Sequence, residues 1–119
     1  TFKFQPIGKY TPLKTEVEYA YGQEQLERLL YRIGDLICKE SINKKGVLAV
    51  ELEIGINGKI NSNHVAHSFD KELDFKVIKE LEITNGKWRA ATGLNGASVN
   101  SFLMIFWKID TRKWTMPNR

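Results

Sequence analysis

The chain has 119 residues, of which 42% are hydrophobic and 27% charged, and its formal net charge is +4 at pH 7. This length and composition are typical of one globular domain and exclude a two-domain chain. Cys38 is the single cysteine, which excludes an internal disulfide and a multi-cysteine zinc site.

The positive charge lies at the two ends of the chain. Residues 1–14 carry three lysines and no acidic residue, and residues 108–119 carry four basic residues against Asp110. Residues 15–107 are therefore slightly acidic. Because a phosphate-binding groove needs Lys and Arg clustered on the folded surface, we expect no nucleic-acid partner.

No apolar run approaches the roughly 20 residues that span a membrane. The chain begins at Thr1 rather than Met, which predicts a processed product whose upstream signal or anchor has been removed. Residues 1–20 contain two prolines and alternating aromatic residues, and they predict an extended arm with one short strand at about residues 2–4. A partly disordered arm is the alternative.

A helix is predicted from about Gln23 to Lys39, because apolar residues recur there at helical spacing. These are Leu26, Leu29, Leu30, Ile33 and Ile37. Gly34 costs up to about 1 kcal/mol relative to Ala and suggests a close approach to a sheet. Cys38 has no identifiable base partner, so we expect a half-buried packing residue rather than a nucleophile.

Residues 46–68 predict a β-hairpin. Apolar residues alternate along its first strand, at Leu48, Val50, Leu52, Ile54 and Ile56. The dipeptide Asn57-Gly58 suits a two-residue type I′ turn, which requires positive φ at both positions. A lone hairpin is marginally stable, so the apolar row must be covered by other elements.

A second helix is predicted to begin after Ser68 or Asp70, either of which can cap it, and to end near Ile83. Its apolar stripe is Leu73, Val77, Ile78 and Leu81. Asp74 is expected to be solvated. The next residues predict a connecting segment in which Trp88 is structural.

The turn pair Asn95-Gly96 precedes a predicted long strand, Ala97–Asp110. Its two side-chain rows are both apolar in the middle, one through Leu103, Ile105 and Trp107 and the other through Phe102, Met104 and Phe106. In a sheet covered on one side, one row would face water, and such an apolar excess suggests an interaction surface.

The sequence contains no recognisable catalytic or metal-binding motif. His64 and His67 are three positions apart, and on a regular strand an odd separation places two side chains on opposite faces, so they cannot chelate one metal. No glycine-rich phosphate loop, nucleophile elbow or zinc spacing occurs. We therefore expect that the chain is not an enzyme and binds neither a cofactor nor a metal.

Several motifs in order resemble the TonB C-terminal domain family, most closely its divergent periplasmic versions in Bacteroidetes. They are Gly46-Val-x-x-Val-x-x-x-Ile-x-x-Asn57-Gly58-Lys-Ile60, Leu73-Asp74, Lys87-Trp88-Arg89 and Asn95-Gly96-x-x-Val99. The resemblance covers about residues 21–109. The family's Tyr-Pro pair before the first strand is absent here, and Ala90 stands where a proline usually follows the tryptophan.

The resemblance implies an α+β two-layer sandwich, with a three-stranded antiparallel sheet, two helices on one face and the order α-β-β-α-β. The periodicities lead independently to the same arrangement, because two amphipathic helices can cover the apolar face of three strands. We expect an arm over residues 1–20, the TonB-like domain over 21–110 and a basic tail over 111–119.

The resemblance also implies a periplasmic energy-transducer domain, tethered to the inner membrane and its energising complex through an upstream segment. Its last strand would bind the TonB box, an extended N-terminal peptide of an outer-membrane transporter, by strand addition. The expected partner-binding residues are Asn100, Phe102, Met104, Phe106 and Lys108. The alternative for these side chains is packing against the N-terminal arm or a second copy.

A second function class stays open. A domain of the same fold could serve a structural role, as a homodimer or docked in a regulatory protein, without a transporter partner.

Overall fold

The computed structural model describes residues 2–7, 13–41 and 43–112. Its elements in chain order are β1 (Phe2–Ile7), β2 (Leu13–Thr15), β3 (Glu18–Tyr19), α1 (Gln23–Glu40), β4 (Lys45–Ile54), β5 (Ile60–His67), α2 (Lys71–Leu81), a 3-10 turn (Glu82–Thr84), β6 (Trp88–Arg89), β7 (Ala91–Gly93), β8 (Ser98–Val99) and β9 (Ser101–Asp110).

The main sheet is antiparallel and has the strand order β1-β9-β4-β5. Two smaller sheets, β2-β7-β8 and β3-β6, complete the described part of the chain. Both helices bury apolar side chains in the core shared with β4 and β9, and the predicted α+β class is confirmed. The main sheet has four strands rather than three, because β1 adds to it.

Helix α1 forms where the periodicity predicts it. All five residues of its apolar stripe are buried, and the helix ends at Glu40, before the turn residues that follow. Gly34 lets the helix lie close to β9: a Cβ at this position would meet the Trp107 ring at 3.5 Å. The Trp107 indole Nε1 also donates to the carbonyl of Leu30 at 3.0 Å, which fixes the helix against the strand.

The hairpin β4–β5 is confirmed, but its turn differs from the predicted type I′. The amide of Gly58 donates to the carbonyl of Gly55 at 3.0 Å, and Gly58 has positive φ whereas Asn57 does not. A four-residue turn ending in one left-handed glycine is typical of a type I turn with a bulge. A separate register shift follows between Glu53 and Ile54, where Asn61 is the extra residue of β5. Ile56 therefore leaves the apolar row and is 63% exposed in the turn.

Helix α2 begins as predicted, because the Asp70 carboxylate accepts from the amides of Glu72 and Leu73. The expectation of a solvated Asp74 is wrong. Asp74 is buried and accepts from the amides of Phe69 and Asp70, at 3.1 and 3.2 Å, and from the Ser68 hydroxyl. Two carboxylates one helical turn apart thus satisfy the free amides of the same helix start.

The predicted fourteen-residue last strand is two strands. Asn100 interrupts it, so that β8 pairs with β7 in a small hairpin and β9 pairs in the main sheet. The segment predicted as a connection carries the short strands β6 and β7. Trp88 is structural as predicted: it is buried, and its Nε1 donates to the Thr84 hydroxyl at 3.0 Å.

No helix within residues 13–41 and 43–112 combines the length and apolarity needed to cross a bilayer. Most of the predicted basic tail, residues 113–119, lies outside the described residues. The predicted arm of residues 1–20 is not separate from the domain, because β1, β2 and β3 each pair with a strand of the body.

Candidate functional site: the outer edge of strand β9

Strand β9 alternates strictly between the core and the opposite face of the sheet. Leu103, Ile105 and Trp107 are fully buried under the helices. Phe102, Met104 and Phe106 point to the other face and are half-buried. This alternation follows from the period of two, and it places the apolar excess on the sheet face that the helices leave uncovered.

The inner side of β9 is paired along its whole length. Residues 101–110 of β9 lie opposite residues 45–54 of β4 in unbroken antiparallel register. This pairing places the two central strands in one rigid unit, with the Leu48 and Trp107 positions directly opposite each other. The outer side of β9 is the side on which a further strand can add.

The expectation that β9 forms the free edge of the sheet is wrong. Strand β1 pairs antiparallel with β9 over six positions, from Phe2 opposite Trp107 to Ile7 opposite Phe102. The physical reason is that an unpaired strand edge is a row of unsatisfied N–H and C=O groups, and the N-terminal arm is long enough to satisfy it. The edge of the sheet on this side is therefore β1.

Strand β1 has the character of an edge strand. It contains Pro6, which has no N–H to donate and is tolerated in sheets at edges. Among the described residues only its inner side is paired, and residues 8–12 separate it from β2 along the chain. The outer edge of β9 is thus a position that accepts an extended segment of six residues.

The five predicted partner-binding residues divide into two groups. Phe102, Met104 and Phe106 lie in β9 opposite β1, in register with Ile7, Gln5 and Lys3. Asn100 and Lys108 are exposed and lie outside the stretch that β1 covers. The structure brings the three apolar residues together on one face and leaves the two polar residues at its ends.

The end of β9 is held by polar contacts of its last residue, Asp110, and of the two residues that follow it. Asp110 accepts from the Arg112 guanidinium at 2.9 Å, and this hydrogen bond lowers the pKa of the Asp110 carboxyl to about 2. The Thr111 hydroxyl donates to the carbonyl of Lys44 at 3.0 Å, and the Thr111 amide donates to the same carbonyl. These contacts tie the end of β9 to the start of β4.

The two histidines lie on the same face of β5, not on opposite faces as predicted. His64 pairs with Glu51 and His67 pairs with Ala49, while a bulge at Ala66 absorbs the odd residue between them. Since Glu51 and Ala49 are two residues apart on β4, their partners share a face. Within residues 13–41 and 43–112, no group of three or more His, Cys, Asp or Glu side chains could hold a metal ion.

Cys38 is half-buried and packs against the core, as predicted. Burial raises the pKa of its thiol, and the nearby Asp35 carboxylate raises it further. A thiol that stays protonated at neutral pH is a poor nucleophile.

Residues 2–7 belong to the site, whereas the sequence predicts a short strand only at about residues 2–4 and gives packing of the N-terminal arm against the last strand as an alternative. A signal was present, because aromatic and polar residues alternate from Phe2 to Gln5. What this alternation could not reveal is the partner strand, which lies about a hundred residues later in the chain.

Comparison of the chain with protein-family models, with curated proteins and with solved structures gives no match. A function for the chain therefore rests on its sequence motifs and on the geometry of β9.

Proposed function

We propose that this chain is a TonB-like periplasmic interaction domain that binds an extended peptide, the TonB box of an outer-membrane transporter, by strand addition to β9. The observation that carries the proposal is the pairing of β1 with residues 102–107 of β9. It supports the view that this edge accepts an added strand. In this proposal the peptide takes the place of β1, and an upstream segment links the domain to the inner-membrane energising complex.

The chemistry of strand addition fits the edge. Main-chain hydrogen bonds to β9 would supply affinity for any extended peptide, and the half-buried row would supply side-chain selectivity. Phe102, Met104 and Phe106 form that row, and Met104 can adapt its flexible side chain to different partners. Asn100 and Lys108 lie where they can contact the two ends of a longer peptide.

Competition with β1 sets the expected affinity. A strand tethered by a short linker is present at an effective concentration on the order of millimolar, so a free peptide must displace an intramolecular competitor. If β1 is paired in 90–99% of molecules, the apparent affinity falls by about 10- to 100-fold. Removing β1 should therefore tighten peptide binding.

The test is an isotope-labelled NMR titration of three proteins: the full chain, a variant lacking residues 1–7, and the full-length variant Gln5→Pro. Proline at position 5 removes a further N–H from β1 next to Pro6. The probes are a TonB-box peptide and a synthetic peptide with the sequence of residues 2–7. We expect shifts along residues 101–109 and an affinity at least about tenfold higher for the two variants than for the full chain.

The two probes separate the possible failures. If the peptide of residues 2–7 binds the shortened protein and the TonB-box peptide does not, the edge accepts strands but the transporter function is wrong. If neither peptide shifts residues 101–109 at millimolar concentration, strand addition at this edge is wrong altogether.

The same pairing favours a second candidate function, a homodimer formed by exchange of β1. Because residues 8–12 connect β1 to the body, the strand of one copy could pair with β9 of another without any new contact. A mass of about 27 kDa by light scattering for the full chain, twice the 13.7 kDa of one chain, and a monomer for the variant lacking residues 1–7, would support this candidate over transporter binding.

A further inference from the structure

A surface groove lies where the chain enters α1, and none of its lining residues belongs to β9. It is an open groove of about 710 Å³. Leu29 and Ile83 contribute apolar surface, and Tyr19 and Tyr21 add two aromatic rings. Tyr21 is 63% exposed and Ile83 46% exposed, so both present apolar surface to solvent at the groove.

The charged residues that line this groove are all basic. They are Arg28, Arg32 and Lys87, and no carboxylate lines the groove among the described residues. Arg28 pairs with Glu24 at 2.8 Å, and Arg32 lies 3.9 Å from Glu80, both in largely exposed pairs. Such surface pairs exchange partners at little cost in free energy.

Lys87 forms no salt bridge within residues 13–41 and 43–112. Its ammonium lies 5.8 Å from the centre of the Tyr21 ring, at the mouth of the groove. The groove is thus lined by three cations, in a central region that is slightly acidic overall. Glu24 and Glu80 lie beside its two arginines but do not line it.

The groove is formed by rigid local structure. The Tyr19 ring packs edge-to-face on Trp88 with centroids 5.2 Å apart. The amide of Ala20 donates to the carbonyl of Lys87 at 2.8 Å, and the amide of Gly22 closes a tight turn on the carbonyl of Tyr19 at 3.1 Å. A site whose walls are already ordered loses little conformational entropy when it binds.

We propose that this groove binds an acidic segment of a partner protein, in which carboxylates flank a bulky apolar side chain. The apolar side chain would lie on Leu29 and Ile83, and the carboxylates would pair with Arg28, Arg32 and Lys87. Arginine and tyrosine are the residue types that dominate binding energy at protein interfaces. Arg28 and Arg32 are one helical turn apart, so both guanidinium groups can reach one peptide.

Polyanions fit this groove less well than a peptide. A nucleic acid or an anionic membrane would extend beyond three basic side chains and meet the acidic surface of residues 15–107. A short peptide can place its carboxylates only where the cations lie. The proposal is independent of strand addition at β9, because the two sites share no residue.

The test is an NMR titration of the full chain with the peptide acetyl-Glu-Glu-Phe-Leu-Glu-Glu-amide. Two matched peptides serve as controls, one with Gln in place of every Glu and one with Gly-Ser in place of Phe-Leu. We expect amide shifts centred on Leu29, Ile83 and Lys87, and weaker binding of both control peptides by at least tenfold.

Two double variants, each of which loses two positive charges, test the role of the basic residues that line the groove. Arg28→Gln/Lys87→Gln should weaken the acidic peptide at least tenfold, whereas Lys59→Gln/Lys71→Gln, at exposed positions outside the groove, should change binding less than twofold. Equal weakening by both pairs, equal binding of the Gln peptide, or no shifts at several millimolar peptide would overturn the proposal. So would binding to phosphatidylglycerol vesicles in the absence of peptide binding.

Discussion

Single residues decide how the turns and helix starts of this domain are built. Gly58 has positive φ and packs directly against the backbone of β6. A Cβ at this position would stand 2.2 Å from the carbonyl oxygen of Trp88. Gly86 has nearly the same φ but open space around it. The two glycines therefore separate two physical effects, left-handed strain and steric overlap.

We expect Gly58→Ala to lower the free energy of unfolding by at least about 3 kcal/mol, because the strain of positive φ adds to a clash between backbones. The matched variant Gly86→Ala should cost only about 1–2 kcal/mol, from the strain alone. Urea denaturation measures both values. Equal destabilisation of the two variants would contradict the role given to the Trp88 carbonyl.

The Asp110–Arg112 pair should make the stability of the fold depend on pH. Because the pKa of Asp110 is lowered to about 2 in the folded chain from an ordinary value of 3.8, the pair stabilises the fold above pH 4 and loses this effect as the pH falls towards 2. An NMR titration of the Asp110 carboxyl should show the low midpoint. In Arg112→Gln the midpoint should rise towards the ordinary value, and an unchanged midpoint would assign the shift to another group.

At the scale of elements, α2 depends on its first turn. Asp70 accepts from two amides there, and the buried Asp74 accepts from the two amides that precede them. This reciprocal capping fixes where the chain turns from β5 into the helix. The stripe of Leu73, Val77 and Leu81 then meets the core in the correct orientation.

We expect Asp70→Ala to reduce stability by about 1 kcal/mol, because the amides of Glu72 and Leu73 lose their acceptor. Asp70→Asn keeps an oxygen that can accept and should remain within about 0.5 kcal/mol of the unmodified chain. Both changes remove the long contact to Lys44, so the difference between them reports the cap alone. Thermal unfolding followed by circular dichroism distinguishes them.

At the scale of the whole molecule, the main sheet has a stable centre and a less firmly held side. Strands β4 and β9 are paired over ten residues and carry eight of the twenty buried core residues described, whereas β1 pairs with β9 over six. The proposed strand exchange at β9 requires that β1 opens while β4 and β9 stay paired.

Hydrogen exchange should therefore alternate along residues 102–107. Successive amides of β9 point to β4 and to β1 in turn, and those bonded to β1 should exchange at least about tenfold faster, because opening one edge strand costs less than global unfolding. Exchange can be followed amide by amide by NMR. Uniform protection of both sets would mean that β1 opens only when the whole domain unfolds.

The sequence alone determined the parts of this protein that rest on short-range periodicity. The stripes of α1 and α2, the alternation of β4 and β9 and the cap at Asp70 follow from spacings within about twenty residues, where backbone geometry alone decides which side chains share a face. Tertiary structure decided the rest. The placement of β1 on β9, the common face of His64 and His67 and the burial of Asp74 depend on strand partners, a bulge and packing between distant segments, which no local spacing contains. The same holds for the candidate sites. The apolar row of β9 was visible in the sequence, but the choice between the N-terminal arm and a second copy as its neighbour was not, and the basic groove exists only once α1, β3 and the turn before β6 are packed together.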